Sequence, residues 1–127
     1  MKIEKLNGTD KRLYQLIAPL AMNSVIVKEN GKVPITTSTK HIWYVAVDKR
    51  KVVGFLAITG GNIKHDYYCN LEVFEDLLRN LMSDYHNSTL KYVASNVEVP
   101  IMKKNGFTTE KTSTNYFYMK YERKETL

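Results

Sequence analysis

The residues best suited to chemistry in this sequence form one polar run, His65-Asp66-Tyr67-Tyr68-Cys69. A carboxylate or an imidazole can take a proton from an amine, and a tyrosine hydroxyl can donate one. Asp66 and His65 are therefore our candidate general bases. Successive residues of a strand point to opposite faces, so we expect at most one of the two to enter a cleft. Simple surface polarity is the commoner explanation for residues of this kind.

The neighbouring residues have competing interpretations. Tyr67 and Tyr68 could donate hydrogen bonds to a ligand, but tyrosines in strands also serve as packing residues with a solvated hydroxyl. Cys69 is the only cysteine, which excludes an internal disulfide and a cysteine-based zinc site. The acidic residues that follow it oppose a thiolate. The histidines are scattered and show no His-Glu-x-x-His spacing, so we expect no metal.

The composition is that of one domain. The chain has 127 residues, 43% of them hydrophobic, and we assign 1–127 to a single domain whose tail, 122–127, frays. Apolar runs of the ~18 residues that span a membrane are lacking, so we expect a cytoplasmic protein without membrane contact, as a monomer or homodimer. The net charge of +6 favours anionic partners, nucleic acid among them.

Two β-branched and aromatic runs, 41–48 and 51–59, predict a hairpin around the charged turn 48–50. Residues 52–58 are apolar throughout, as in a strand covered on both faces. Trp43, Tyr44 and Phe55 are expected in the core, although they could instead line an acceptor pocket. Segment 62–69 predicts a third strand. Apolar residues at three- and four-residue steps then predict a helix over 71–85, with Asn70 as its N-cap.

The flanking segments complete the order of elements. We predict a strand at 2–6, a helix that breaks or kinks at Pro19, and a second helix or an irregular arm at 21–28. A strand at 90–95 and a helix at 97–104 follow, the helix ending at a left-handed Gly106. Strands at 107–111 and 115–122 close the chain. The fold class is α/β (α+β), with a mixed, mostly antiparallel sheet of six to seven strands flanked by about four helices.

The order of these elements resembles the Gcn5-related N-acetyltransferase (GNAT) superfamily. Three details support the resemblance: the hairpin from Trp43 to Ile58, the helix from Leu71 and the run 101–107 that ends in Gly-Phe. The resemblance covers nearly the whole chain. It implies that the fourth strand splays from the fifth and that the pantetheine arm of acetyl-coenzyme A, or of another acyl-coenzyme A, lies along the open edge.

The resemblance also implies the ligand-binding positions. Tyr67, Tyr68 and Cys69 would contact the cofactor along the strand edge. Asn70 and Leu71 would do so at the start of the helix. Ser95 or, with a slip of one residue, Asn96 takes the position of the family's usual asparagine after the fifth strand.

The sequence departs from the family pattern in two places. The usual Gln/Arg-x-x-Gly-x-Gly/Ala loop is missing, and segment 69–76 instead carries three carboxylates and no glycine. Met102 occupies the position of the tyrosine that often protonates the departing thiolate. Methionine has no transferable proton, so the acid would have to be Tyr92, Tyr116 or Tyr118, and Tyr118 is the one we select.

The resemblance implies an acyl-coenzyme A-dependent N-acyltransferase in which a small-molecule or macromolecular amine attacks the thioester directly. The missing loop favours an alternative, a non-catalytic module of this fold that binds an acidic partner or nucleic acid. A third interpretation is an enzyme of this fold that modifies nucleic acid and that resembles some phage-type relatives. The sequence leaves these three open.

Overall fold

The computed structural model describes residues 1–23 and 35–122. Within these residues the chain forms seven strands and three helices, in the order that the sequence predicts. Their bounds are β1 Lys2–Asn7, α1 Lys11–Ala21, β2 Ile42–Asp48, β3 Lys51–Thr59, β4 Asn62–Tyr68, α2 Leu71–Asp84, β5 Leu90–Ala94, α3 Val99–Lys104, β6 Thr108–Thr112 and β7 Phe117–Tyr121.

All seven strands belong to one mixed sheet, in the order β1-β2-β3-β4-β5-β7-β6. Every neighbouring pair is antiparallel except β4 and β5, which run parallel. The predicted α/β class and the mostly antiparallel sheet are thereby confirmed. The four strands β1 to β4 form one half of the sheet, and β5, β7 and β6 form the other.

The hairpin between β2 and β3 has a two-residue turn. Asp48 pairs with Lys51, and the two residues between them, Lys49 and Arg50, have φ angles of 50° and 65°. Positive φ at both central residues defines a type I′ turn, whose twist matches the right-handed twist of the flanking strands. The predicted hairpin is therefore confirmed, with a turn geometry that neither residue type would suggest.

One face of the sheet is covered by α2. Asn70 caps this helix as predicted, because its side chain accepts a hydrogen bond of 3.0 Å from the Val73 amide. The apolar stripe of α2 packs against the sheet and forms the larger core, together with buried residues from both halves of the sheet. The buried residues of α2 are Val73, Phe74, Leu77, Leu78 and Leu81.

The opposite face of the first half is covered by α1. Leu13 and Ile17 of this helix pack with Trp43, Val45 and Phe55, all of which are buried. β2 and β3 are thus covered on both faces, as their continuous apolar runs predict. Trp43, Tyr44 and Phe55 all lie in the core.

Helix α1 shows that the helix does not break at Pro19. The helix continues through Pro19 and ends at Ala21, where the Met22 amide bonds to the Ala18 carbonyl. Proline removes one amide donor, and in the last turn of a helix that loss affects a single bond. Residues 24–28 of the predicted second helix at 21–28 lie outside the described residues. In the described ranges, no helix is both long enough and apolar enough to cross a membrane.

Candidate active site

The sheet splits between β4 and β5. The two strands pair only at Asn62 and Lys91, next to a hydrogen bond of 2.9 Å from the Lys91 amide to the Gly61 carbonyl. Beyond this point they diverge and leave a cleft of about 840 Å³. Its walls come from both strands, from the segment before β2, and from the start of β7.

A β-bulge in β4 determines how the polar run faces this cleft. Leu56 of β3 pairs with Asp66 and Ala57 pairs with Lys64, so His65 is the extra residue, with φ at 51°. The bulge turns His65 to the α1 face, where its ring contacts Trp43. Asp66 is on the α2 face, where it meets Tyr92.

Both His65 and Asp66 line the cleft. The expectation that at most one of them would enter it was wrong. The two side chains do lie on opposite faces of the sheet, as the alternation of side chains along a strand requires. The cleft can be reached from both faces, however, because the sheet is split there.

On the α2 side, Asp66 belongs to a partly buried cluster of two carboxyl and two phenol groups. Tyr92 donates to Asp66 Oδ2 over 3.0 Å, and Tyr68 donates to Glu98 Oε2 over 2.7 Å. Glu98 also lies close enough for its charge to act on Asp66. Two adjacent carboxyl groups in a desolvated site cannot both ionise easily, which favours the protonated form of Asp66.

The electrostatics of the cluster follow from this arrangement. Burial, and then the negative charge of Glu98, raise the pKa of Asp66 to about 7. Burial, and then the charges of Asp66 and Glu98, raise the pKa of Tyr92 well above its ordinary value. Asp66 can therefore gain and lose a proton near neutral pH, whereas Tyr92 stays protonated and acts as a hydrogen-bond donor.

Glu98 was not among the residues singled out from the sequence. It is 4% exposed, and its Oε1 accepts a hydrogen bond of 2.8 Å from the Ser95 amide. This bond spans the turn before α3, where Glu98 is itself the N-cap residue of the helix. Its closeness to Asp66 could not be read from the sequence.

On the α1 side, three aromatic rings pack together: those of His41 and His65 line the cleft, and that of Trp43 lies buried behind them. Their planes lie within 26° of one another, and their centroids are 6.0 Å, 5.8 Å and 6.4 Å apart. Burial, then His41 and Lys64, lower the pKa of His65 to about 4. Burial and then Lys64 lower the pKa of His41. Both imidazoles are therefore uncharged at neutral pH.

The predicted catalytic and acid residues lie near one another. Tyr116 and Tyr118 line the cleft from the β7 side, and Tyr92 lines it from β5. Lys111 lies over the Tyr118 ring, 5.7 Å from its centroid. Met102, in contrast, is fully buried in the larger core.

Only part of the predicted cofactor set meets at the cleft. Tyr67, Tyr68 and Ser95 line it. Cys69 and Asn70 are exposed beyond the end of β4, and Cys69 bonds through its amide to the Val53 carbonyl over 2.9 Å.

Leu71 is 39% exposed in the first turn of α2, and Asn96 is exposed in the turn after β5. Neither of them is among the cleft residues.

The charge at the start of α2 is less negative than the sequence suggests. Glu72 is the acidic residue of the first turn. Glu75 instead accepts hydrogen bonds from Lys104 over 3.3 Å and from Asn105 over 3.1 Å. These contacts, Asn105 first, lower the pKa of Glu75. Among the described residues, no group of three or more His, Cys, Asp or Glu side chains is arranged to hold a metal ion.

Comparison of the chain with known proteins gives matches at the level of structure. No family model matches the sequence, and no curated protein matches it. The structure is similar to Escherichia coli ElaA, with a TM-score of 0.73 at 12% identity over 96% of this chain and 100% of the other. The chain has the GNAT fold.

Two further structures share the GNAT fold with this chain. An acyl-CoA N-acyltransferase from Pseudomonas aeruginosa matches with a TM-score of 0.69 at 9% identity, over 95% of this chain and 99% of the other. The N-acetyltransferase PseH of Campylobacter jejuni, in complex with acetyl coenzyme A, matches with a TM-score of 0.58 at 16% identity, over 97% and 100%.

Proposed function

We propose that this chain is an acyl-coenzyme A-dependent N-acyltransferase that transfers an acyl group, most simply acetyl, to an amine. The observation that carries the proposal is the position of Asp66, hydrogen-bonded to Tyr92 and beside Glu98, inside the cleft where the sheet splits. A base whose pKa is about 7 suits the deprotonation of an ammonium group at neutral pH. Similarity to PseH, solved with acetyl coenzyme A, supports the same choice of donor.

The edge of β4 suits the pantetheine arm. The Cys69 amide bonds to Val53 of β3, and main-chain groups of an antiparallel ladder alternate in direction. Those of Tyr67 and Cys69 are therefore directed to β3, and those of Asp66 and Tyr68 toward the split. A pantetheine arm, which contains amides, can pair with this edge as an additional strand would.

The diphosphate end of the cofactor would meet a helix start without glycine. Main-chain amides at Asn70 and Leu71 carry the positive end of the α2 dipole, which favours an anion. Glu72 opposes it by about 0.3–1 kcal/mol, an amount that weakens binding without preventing it. Ser95 lines the cleft and would contact the pantetheine, with Asn96 next to it.

Starting from an ammonium group, the reaction removes two protons from nitrogen and supplies one to sulfur. Acyl-coenzyme A provides an activated thioester. Asp66 takes the first proton from the ammonium group, the nitrogen forms a bond to the thioester carbonyl carbon, the carbon–sulfur bond breaks, and the nitrogen releases its second proton to solvent. The departing thiolate takes a proton from the group we select, Tyr118 on the opposite wall, which regains one from solvent. His65 forms part of the wall that faces the acceptor, and its low pKa makes it a poor base beside Asp66.

Binding and pH dependence test the proposal. Calorimetric titration should show saturable binding of acetyl-coenzyme A at micromolar concentration, with an unrelated nucleotide as control. Thiol release with an amine acceptor should give a kcat/KM that rises with pH to about 7 and is level above it. Asp66→Asn should lower kcat/KM by roughly 10²–10⁴. Asp48→Asn, in the exposed hairpin turn, should leave it unchanged. Lack of binding up to millimolar ligand would refute the proposal.

One observation favours a second candidate, a non-catalytic module that binds nucleic acid or an acidic protein. The start of α2 has an acidic residue, Glu72, and no glycine, and the chain carries a charge of +6. Such a module would show no coenzyme A binding. It would bind duplex or single-stranded DNA with an affinity that falls steeply as salt increases.

A further inference from the structure

Two hydrogen bonds cross the split in opposite directions on its α2 side. Tyr92 of β5 donates to Asp66 of β4 over 3.0 Å. Tyr68 of β4 donates to Glu98, at the start of α3, over 2.7 Å. Both phenol rings pack against Phe74, at centroid distances of 5.8 Å for Tyr92 and 4.9 Å for Tyr68. The two carboxyl groups are thereby held in one small region of the cleft, although they come from opposite sides of the split.

Glu98 is fixed in this region by both of its oxygens. Oε1 accepts the hydrogen bond of 2.8 Å from the Ser95 amide, and Oε2 accepts the one from Tyr68. Donors at both oxygens stabilise the negative charge of a carboxylate. The residue is 4% exposed, so solvent screens that charge only weakly. Glu98 therefore places a fixed negative charge beside Asp66.

The hydrogen bonds alone do not require a charge at this position. A glutamine could accept from the Ser95 amide and donate to the Tyr68 hydroxyl oxygen, and it would avoid the cost of burying a carboxylate. A residue that only tied the turn before α3 to β4 could thus be neutral. The buried charge of Glu98 instead indicates an effect on a neighbouring group.

Asp66 is the neighbour on which this charge acts. Asp66 and Glu98 are the two carboxyl groups among the described residues that line the cleft. β3 and α2 contribute apolar side chains to this region, including Leu56 and Phe74. The other titratable side chains of the cleft belong to residue types that are uncharged or positive at neutral pH. They are His41, Lys64, His65, Tyr67, Tyr68, Tyr92, Tyr116 and Tyr118.

We propose that Glu98 is a positioning residue, whose fixed negative charge beside Asp66 makes Asp66 a stronger base toward the ammonium group of the acceptor. This inference rests on the proposed acyltransferase function. When a proton passes from nitrogen to Asp66, an N–H bond breaks, an O–H bond forms, and the repulsion between two adjacent carboxylates is relieved. Burial and Glu98 act in the same direction on the pKa of Asp66.

The pH dependence of acyl transfer tests this role. Glu98→Gln should move the midpoint of the acid limb of kcat/KM from about 7 to lower pH, by about one unit. Divided by its own plateau, kcat/KM at pH 5 should then be about tenfold higher than in the unaltered protein, because about ten times more of the base is unprotonated there. A limb that stays near 7 while the plateau falls would show a merely structural role and overturn the inference.

Three further variants complete the kinetic test. Glu98→Asp keeps the charge and should keep the midpoint near 7. Glu110→Gln removes an exposed carboxylate on β6, outside the cleft, and should leave the profile unchanged. Glu98→Met, neutral and of similar length, should show the same shift as Glu98→Gln and serves if the glutamine variant does not fold.

Direct titration of Asp66 separates this inference from the function on which it rests. The chain has five aspartates, so carboxyl-labelled aspartate gives few ¹³C resonances, and the one lost in Asp66→Asn is that of Asp66. Its midpoint should be about 7 in the unaltered protein and about one unit lower in Glu98→Gln. An unchanged midpoint in Glu98→Gln would overturn the inference. Because the titration needs no substrate, it distinguishes that result from a lack of acyl transfer, which would refute the proposed function.

Discussion

Asp66 should make the folded protein less stable as the pH rises. Its pKa is about 7 in the folded state against an ordinary 3.8, so between these values the folded state holds a proton that the unfolded state has lost. The contribution is fully present below about pH 4 and is lost as the pH passes 7. A difference of about three pKa units corresponds to about 4 kcal/mol of unfolding free energy.

The ionisation of His65 should change the stability of the folded protein in the opposite direction over much of the same pH range. Its pKa is about 4 in the folded state against an ordinary 6.5, so the unfolded state binds the extra proton between these values. The contribution is present above about pH 6.5 and is lost as the pH falls to 4, by roughly 3 kcal/mol. In the unaltered protein the two effects largely cancel between pH 4 and 6.5.

Two variants separate the opposing effects. Asp66→Asn keeps a group that can donate to Glu98 but does not titrate, so its stability relative to the unaltered protein should increase by up to about 4 kcal/mol from pH 4 to 8. His65→Asn tolerates the left-handed backbone, and its relative stability should decrease by up to roughly 3 kcal/mol over pH 4 to 6.5.

Urea unfolding at several pH values, followed by circular dichroism, measures both differences. Carboxylates with lowered pKa, such as Glu4 and Asp84, titrate alike in all three proteins and cancel when the curves are subtracted. A difference curve for Asp66→Asn that is flat with pH would show that Asp66 ionises normally in the folded protein. That result would refute the raised pKa of Asp66 and its assignment as a base for neutral pH.

Two further predictions concern the elements that position the cleft. Asn70→Ala removes the side chain that accepts from the Val73 amide, and it should lower the unfolding free energy by about 1 kcal/mol in urea titrations, whereas Asn96→Ala in an exposed turn should change it little. Gly54→Ala would place a methyl group 2.8 Å from Val73 Cγ1 and 2.9 Å from the Tyr67 carbonyl oxygen, so it should destabilise the protein by about 1–3 kcal/mol. A neutral effect of the alanine at Gly54 would contradict the close packing of α2 on β3.

The regular elements were predictable because their signals are local. The apolar run 52–58 indicates a doubly covered strand, and the spacing of apolar residues in α2 indicates its buried face. The predicted break at Pro19 does not occur, because the destabilisation that a proline causes depends on how many helical residues follow it. Here only two do. The split between β4 and β5 came from the family resemblance rather than from any residue pattern.

The chemistry of the cleft could be predicted only in part from the sequence. Asp66 and His65 stand out as polar residues in a strand, but the bulge that separates them depends on a backbone angle that histidine does not encode. Glu98 lies 32 positions from Asp66 in the chain, and their contact exists only after β4 and α3 are packed on the same core. Contacts of this kind follow from tertiary structure, which local sequence patterns do not specify.

The single pairing between Asn62 and Lys91 also bears on how the protein assembles. β2, β3 and β4 are joined by short turns, and β6 and β7 form a hairpin beside β5, so most strand pairings in each half link segments that are close in the chain. Pairings of this kind require little loop closure and form readily. The cleft, in contrast, exists only once the two halves have docked. We therefore expect the proposed catalytic groups to meet late in folding, so a change that weakens docking would abolish the proposed activity while leaving the strands of each half intact.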